Sequence, residues 1–393
     1  MCRIQREAPI QTDEVQANVR EIAAAFAAQR SDRQQRRALD RADFDRLAQA
    51  GLLLTGVPAS QGGLWESASK STRTICELYR TLAGGDSSVA LVSSMHPAVL
   101  AFWLASPRAE GGDQSAWDRQ RADVFGAALE GHWWGTITSE PGSGGDIMKT
   151  KTLAKHDGAG GYLLSGQKHF GSGSGMSSFM ITTAVPDGES SPDLFYFDAR
   201  GRAWDGSAGM KLISEWDGHG MTATQSHAFQ FDAVPVTRCA WRGGLPLILG
   251  ASFGFVGCLF AAVIVGICDV AFANARDGLR GKEDSMRPYE RLEWARAEME
   301  YWLIQQAYEG MVRAVETGPE GTTPLGVLQG KTAIAELAES AMGRVCKVIG
   351  GGTFHRRSPL GNWFEDVRAL GFLRPPWGLA YDRMIEGSLS SRA

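Results

Sequence analysis

Cysteine is scarce and scattered in this chain. Six cysteines occur in 393 residues, at positions 2, 76, 239, 258, 268 and 346. No two of them form a CxxC pair, and several lie within apolar runs of helical character. This pattern excludes a disulfide framework and a zinc site, and it predicts reduced thiols in a cytoplasmic protein.

Positive charge is not in excess either. Forty Lys and Arg residues face 44 Asp and Glu residues, for a formal net charge of -4. A nucleic-acid partner is therefore excluded at the level of overall composition. The one basic run, at 30–37, is followed by Asp40, Asp43 and Asp45, and this mixture favours a solvated helical face over a ligand patch.

The basic-then-apolar pattern of a secretion signal is missing at the N-terminus. The most apolar stretch, 247–272, has the length of a membrane span, but several glycines and Asp269 interrupt it. We therefore interpret it as a buried core helix and expect no membrane association.

The periodicity of apolar residues divides the chain into three regions. Residues 1–130 show helical spacing, with turn-like breaks at 58–63 and 84–86. Residues 131–242 contain short alternating runs at 133–138, 162–164, 179–184, 194–197 and 222–231, which predict a small antiparallel β barrel or sandwich. Residues 243–393 return to longer helices, at 247–278, 288–317 and 324–349, with a shorter one near 376–388, and these predict a four-helix bundle. The expected class is a multidomain α+β protein.

A glycine-rich turn follows the first predicted strand. The segment 136–146 reads TITSEPGSGGD, and such a turn exposes backbone N–H groups that suit a pyrophosphate or the pyrimidine edge of a flavin. An ordinary connecting loop is the alternative interpretation.

A second segment, 166–175, reads GQKHFGSGSG. If this stretch is extended, Phe170 and Ser172 point to the same side, because side chains alternate along a strand. An aromatic plane beside a hydroxyl group fits a stacked, flavin-like ring, although Phe170 also suits a core position.

The order of the three regions and these two segments together resemble the acyl-CoA dehydrogenase superfamily over nearly the whole chain. The family's first motif reads approximately T-E-P-x-x-G-S-D. Glu140, Pro141, Gly144 and Asp146 match it, whereas Ser139 replaces the Thr and Gly145 replaces the Ser.

The resemblance implies a flavin cofactor, FAD or alternatively FMN, and it gives roles to individual residues. Ser139 would bond the flavin ring, and Phe170 and Ser172 take the places of a Trp and a Thr beside the flavin, with Ser172 at the N5 edge. The backbone at Gly144 and Gly145 would lie near a phosphate.

The resemblance also covers a C-terminal turn, 349–354 (IGGGTF), in which Gly350 and Gly351 would contact the flavin of a neighbouring subunit. Lys282 and Glu293 fall at the positions of a pyrophosphate-binding Arg and its partner Gln. These features imply a homodimer or homotetramer of closed symmetry.

The carboxylate base of an acyl-CoA dehydrogenase is absent from both of its family positions. Such a base takes the α proton while a hydride leaves for the flavin. Arg374 occupies the usual position and Val256 the minority position. Arg374 is either a surface ion-pair residue or, if it faces the flavin, an anion-binding one.

A monooxygenase branch of the same fold, typified by dibenzothiophene monooxygenase, resembles the chain around 168–173 and at Trp133-Trp134. This branch places a histidine in the first helical region, where the chain has His96, and a second near the C-terminus, where it has Arg374. His96 is thus a candidate catalytic base, with a plain structural histidine before Pro97 as the alternative.

Three functions follow as hypotheses. The first is an acyl-CoA dehydrogenase-like enzyme acting on an acyl-CoA or related small molecule, with electron-transfer flavoprotein as a partner. The second is a reduced-flavin monooxygenase served by a flavin reductase, which needs no carboxylate base. The third is a flavin-binding protein without catalysis.

Overall fold

The computed structural model describes residues 11–104, 108–109, 111–319 and 325–389, so Cys2 lies outside the described residues. The helices are α1 (Thr12–Ala28), α2 (Arg30–Arg33), α3 (Arg41–Ala50), α4 (Ala68–Gly85), α5 (Ser87–Leu104), α6 (Gln114–Leu129), α7 (Leu245–Leu279), α8 (Pro288–Thr317), α9 (Leu325–Ile349), α10 (Pro359–Val367), α11 (Ala369–Phe372) and α12 (Trp377–Leu389). The strands are β1 (Trp134–Thr136), β2 (Leu153–His156), β3 (Tyr162–Gly171), β4 (Phe179–Pro186), β5 (Asp193–Asp198), β6 (Met210–Ser214) and β7 (His227–Arg238). The five described cysteines are free thiols.

Local sequence signals set the ends of the N-terminal helices. The Asp40 side chain accepts the Ala42 N–H and caps α3, because short polar side chains satisfy the unpaired amides at helix starts. The break between α4 and α5 falls at the predicted glycines. A Cβ atom on Gly85 would lie 2.5 Å from the carbonyl oxygen of Ala23, so only glycine allows α1 to pass so close.

The predicted core helix is α7, which packs against α4, α5, α8 and α9. Both α5 and α7 are long and apolar enough to cross a bilayer, but 89% and 83% of their most apolar windows are buried inside the fold. A central helix surrounded by other helices accounts for this composition.

Five strands close into a barrel, in the order β4-β2-β3-β7-β5 and back to β4. The prediction of a wholly antiparallel arrangement was wrong, because β4 pairs in parallel with β1 and with β2. The remaining pairings are antiparallel. Aromatic residues fill the interior, among them Phe195, Phe229 and Phe231.

One further prediction needs correction. The run 222–231 does not begin as a strand, because Met221 and Gln225 have positive φ angles of 49° and 48° and β7 starts only at His227.

The C-terminal region contains the three long helices predicted, α7, α8 and α9, and the shorter helix α12 near the predicted position. The additional short helix α10 packs against α7 and α9, and α12 packs against α9.

Candidate functional site

The two glycine-rich segments lie side by side at one edge of the barrel. The Ile137 N–H donates to the Ile181 carbonyl oxygen, so the chain still runs beside β4 after β1 ends. The His169 N–H then donates to the Ser139 carbonyl oxygen at 2.8 Å, so the first segment pairs with the end of β3. The fold therefore brings Ser139 next to Phe170, as the resemblance implies.

Arg374 reaches the same place from the C-terminal region. Its guanidinium group donates to the Ser139 hydroxyl at 2.8 Å, to the Gly145 carbonyl at 3.3 Å and to the Thr138 hydroxyl. Burial lowers the pKa of Arg374 to about 10, with Asp146 opposing that shift. Arg374 thus remains a cation at neutral pH, and it lies half-buried against the first glycine-rich segment.

The segment that carries Arg374 is held by a buried lysine that sequence reasoning missed. Lys331 on α9 donates to the carbonyl oxygens of Leu370 at 3.0 Å and Pro375 at 2.9 Å. Burial lowers its pKa to about 8. Pro376 then packs on Gly145, where a Cβ atom would lie 2.7 Å from the proline ring.

Glu140 has a structural task in the turn. Its carboxylate accepts the N–H groups of Lys151 and Thr152, at 2.7 and 3.1 Å, and the ammonium group of Lys168 at 2.6 Å. Lys168 is fully buried, and burial lowers its pKa to about 8 although Glu140 opposes the shift. Burial alone would raise the pKa of Glu140, but Lys168 holds it below its usual value. The pair fixes the turn to β3, and Glu140 is not a free base.

The turn uses several of its own N–H donors. Ser143 donates its N–H to the Glu140 carbonyl, Asp146 donates to the Ser143 carbonyl, and Gly145 donates to the Ser143 hydroxyl at 3.2 Å. An anion cradle needs such donors to face a ligand. The internal bond of the Gly145 N–H therefore weighs against a phosphate at that group.

The prediction that Phe170 and Ser172 share an extended stretch was wrong. Phe170 has φ of 58°, the pairing of β3 with β7 shifts register between Lys168 and Gly171, and the Ser172 N–H turns back to the Phe170 carbonyl at 2.9 Å. Phe170 is 58% exposed and contacts Trp216 edge to face at 6.1 Å. Phe170 thus offers an exposed aromatic surface. Its orientation is determined by the β-bulge at the end of β3, and not by the alternation of side chains along a strand.

His96 lies on α5 and is fully buried. Its Nε2 atom is 2.9 Å from the Leu53 carbonyl, and its Nδ1 atom accepts the Trp134 N–H at 3.1 Å. These partners require a neutral ring with its hydrogen on Nε2. Burial lowers the pKa of His96 to about 4. This geometry supports the structural alternative, in which His96 joins α5 to β1, and it does not support a catalytic base.

The remaining predicted residues lie elsewhere. Lys282 is exposed just after α7, and Gly350, which is half-buried, and the exposed Gly351 follow α9. Glu293 is buried on α8 and pairs with Arg344 at 3.0 Å. Burial alone would raise the pKa of Glu293, but Arg344 holds it below the usual value. In the described part of the chain, no hydrogen bond or ion pair joins these residues to the Arg374 cluster.

Comparison with known proteins identifies the middle region. Residues 135–234 match the acyl-CoA dehydrogenase middle-domain family. The chain carries this domain, and the resemblance drawn from the two glycine-rich segments is confirmed.

Two curated relatives are monooxygenases by name. Dibenzothiophene monooxygenase of Mycolicibacterium goodii is 28% identical over 248 residues, which cover 60% of this chain and 55% of the relative. The probable FMNH2-dependent monooxygenase SfnC of Pseudomonas putida is 28% identical over 264 residues, which cover 66% and 60%. The matches thus span under two thirds of each relative's length.

Solved structures share the fold along nearly the whole chain. FMN-bound TdsC from Paenibacillus has a TM-score of 0.76 at 18% identity, covering 96% of this chain and 98% of that one. Butyryl-CoA dehydrogenase from Megasphaera elsdenii has a TM-score of 0.77 at 17% identity, covering 97% and 99%. The chain therefore has the acyl-CoA dehydrogenase fold.

Proposed function

We propose that the protein is a monooxygenase that uses a reduced flavin supplied by a separate flavin reductase. The observation that carries this proposal is the surroundings of Arg374, a cation with three hydrogen bonds to the proposed flavin motif. The names of the curated relatives support it. A bound reduced flavin supplies the electrons with which oxygen is activated, so no carboxylate base is required.

The residues at the barrel edge fit a flavin ring. Phe170 and Trp216 provide an aromatic surface beside the hydroxyl groups of Ser139 and Ser172. The guanidinium group of Arg374 is suited to binding an anion, because it is planar, charged and rich in donors. We assign Arg374 the role of stabilising negative charge on the cofactor or the substrate.

Acyl-CoA dehydrogenation is disfavoured because three carboxylates of this part of the fold are already engaged by other groups. Glu140 is paired with Lys168, Asp146 caps the short turn at Ile147–Lys149, and Asp366 accepts hydrogen bonds from Ser87 and Met221. Without a positioned base, removal of an α proton loses roughly 10²- to 10⁴-fold in rate.

We propose FMN rather than FAD as the cofactor. The name of the Pseudomonas putida relative and the FMN bound to TdsC support this choice. Glu293 does not decide it, because Arg344 already pairs with the Glu293 carboxylate. The mass of the cofactor released from the purified protein distinguishes the two.

We also propose a homodimer or homotetramer in the cytoplasm. Five large apolar or aromatic residues are exposed on α8, namely Tyr289, Leu292, Met299, Trp302 and Leu303. Phe354 after α9 is 98% exposed. Exposed apolar faces of this kind mark contacts between chains. The five free thiols agree with a reducing compartment.

The test of the proposed activity combines the protein with FMN, NADH, a flavin reductase and oxygen, and follows dibenzothiophene and related organosulfur compounds. Oxygenated products that need both oxygen and the reductase support the proposal. The matched experiment adds butyryl- or octanoyl-CoA to the flavin-loaded protein without oxygen. Rapid bleaching of the flavin would overturn the proposal in favour of a dehydrogenase.

Arg374→Glu tests the position of Arg374 against the proposed flavin. If the family geometry holds here, this variant gains acyl-CoA-dependent bleaching that the wild type lacks, because a carboxylate then occupies the position of the base. Arg374→Gln is the matched control, since it removes the same cation without adding a base. Equal bleaching in both variants would show that the position does not face the substrate.

A further inference from the structure

One buried cation of this fold has no carboxylate to neutralise it. Four Lys or Arg side chains are buried among the residues that the structure describes, namely Arg33, Lys168, Arg238 and Lys331. The first three lie within 2.8 Å of an Asp or Glu oxygen. Lys331 differs, because its partners among the described residues are two backbone carbonyl oxygens. A buried charge without a counterion is unfavourable, so Lys331 is an unbalanced positive charge.

Arg374 is a second cation without an ion pair, and it lies in the segment that Lys331 holds. It directly precedes Pro375, whose carbonyl oxygen accepts from Lys331. The three hydrogen-bond partners of its guanidinium group are all neutral, namely the hydroxyls of Thr138 and Ser139 and the carbonyl of Gly145. Two positive charges therefore lie in one segment without a carboxylate in contact with either.

Asp146 does not neutralise Arg374. Its negative charge opposes the fall in the pKa of Arg374, but the Asp146 carboxylate accepts the Met148 N–H at 3.0 Å and pairs with Lys149 at 3.9 Å. Among the described residues, no ion pair joins Asp146 to Arg374. The charge of Arg374 is thus available to a ligand.

Two N–H groups of Arg374 are available as well. A guanidinium group has five N–H donors. The Nε atom uses its hydrogen on Gly145, and the two Nη atoms use one hydrogen each on Thr138 and Ser139. Within the described part of the chain, one N–H on each Nη atom therefore has no acceptor. Two donors on one planar, charged group match the two oxygens of an acid group such as a carboxylate.

We propose that Arg374 binds the acid group of an organic anion, and that the substrate belongs to this class. The proposal rests on the proposed function, in which the protein acts on a small organic molecule. Arg374 occupies the position at which the resemblance places a base that acts on the substrate, so the anion is assigned to the substrate. A neutral ring compound leaves both N–H groups unpaired, whereas a carboxylate satisfies both and supplies the missing negative charge.

The experiment titrates FMN-loaded protein calorimetrically with three acids and with their amides, which have a similar shape and no charge. The pairs are acetate and acetamide, benzoate and benzamide, and (phenylthio)acetate and (phenylthio)acetamide. We expect wild-type protein to bind an acid about tenfold more tightly than its amide or better, because hydrogen bonds to charged groups are the stronger ones. Arg374→Gln removes this preference.

Arg200→Gln is the matched control. Arg200 is exposed and pairs with Asp198 at 2.6 Å, so this variant loses the same charge away from Arg374 and keeps the preference for acids. If Arg374→Gln fails to fold, as judged by thermal unfolding, Arg374→Lys is measured instead. Lysine keeps the charge but has no planar pair of donors, so the preference for the acid falls.

The phosphate of FMN is the alternative anion for Arg374. Riboflavin lacks this phosphate, so the ratio of the two affinities measures how much the phosphate contributes. We expect Arg374→Gln to leave this ratio unchanged. A ratio that falls by about tenfold would assign Arg374 to the cofactor and overturn the proposal.

The outcomes separate this inference from the proposed function. Protein that binds no flavin contradicts the proposed function, and titration of the flavin-free protein with the same acids and amides then tests the anion site alone. Protein that binds FMN but prefers no acid over its amide overturns the inference alone. A folded Arg374→Gln variant that keeps the wild-type preference overturns it too.

Discussion

Acidification tests the role that the structure gives to His96. The ring is fully buried between the Leu53 carbonyl and the Trp134 N–H. Burial lowers its pKa from 6.5 to about 4. In the unfolded chain the ring meets water and titrates near its ordinary value.

The sign of the pH effect follows from the protons bound by each state. Above about pH 6.5 the ring is neutral in both states and contributes no pH dependence. Between 6.5 and about 4 the unfolded chain binds a proton that the folded chain does not, so the free energy of unfolding decreases as the pH falls. A difference of about 2.5 pKa units corresponds to roughly 3 kcal/mol, lost in full below the folded pKa.

The assay is urea unfolding between about pH 7.5 and pH 4.5, comparing wild type with His96→Gln. Glutamine offers one donor and one acceptor, as the neutral ring does, but it has no proton to gain. We expect the variant to lose less stability than the wild type over this range, and the difference between the two curves isolates His96 from the other histidines. Parallel curves would refute the buried, neutral state of His96.

Three further predictions concern the site and the assembly. Glu140→Gln and Lys168→Met each lower the free energy of unfolding by about 3–5 kcal/mol, because each leaves one charge of a buried pair uncompensated. In urea unfolding, the double variant loses less free energy than the sum of the two single losses. Full additivity of the two losses would contradict the pairing. Lys331→Met leaves two buried carbonyl groups without their donor near Arg374. We expect the free energy of unfolding to decrease by about 1–3 kcal/mol and FMN to bind more weakly. Unchanged FMN affinity would show that Lys331 does not position the site. Sedimentation should show a dimer or tetramer that Trp302→Asp dissociates, since Trp302 is 58% exposed on an apolar face; a wild-type monomer that still binds flavin tightly would contradict this.

The helices were the most predictable part of the fold. The prediction of 288–317 coincides with α8, and 247–278 differs from α7 by three residues in all. These helices have long apolar periods and start next to proline, at Pro246 and Pro288, so local sequence determines their limits.

The barrel was less predictable because its pairings depend on distant residues. The strands β2 and β6 were missed, since each is only four or five residues long and mixes polar with apolar positions. The parallel partners of β4 come from separate parts of the chain, and no periodicity encodes them. The loop before β7 was predicted as part of that strand. Met221 and Gln225 have left-handed backbone conformations there, which a strand does not allow.

In the candidate site, too, features that depend on local sequence were more predictable than features that depend on distant residues. Ser139, Phe170 and Ser172 could be proposed as site residues because they lie in two short segments whose motif spacing is local, and their roles stay predictions. The role of His96 could not be predicted, since its partners are backbone atoms at Leu53 and Trp134, 43 and 38 residues away. The bulge at Phe170 also escaped prediction, because it depends on how β3 pairs with β7.

The contacts of Arg374 have a consequence for how the protein is made. The partners of its guanidinium group, Thr138, Ser139 and Gly145, precede it in sequence by 229 to 236 residues. A ribosome must therefore synthesise at least 374 residues before these partners meet the guanidinium group. The last barrel strand ends at Arg238, so the barrel can fold before Arg374 has been synthesised, and this edge of the barrel is completed only when the C-terminal segment docks.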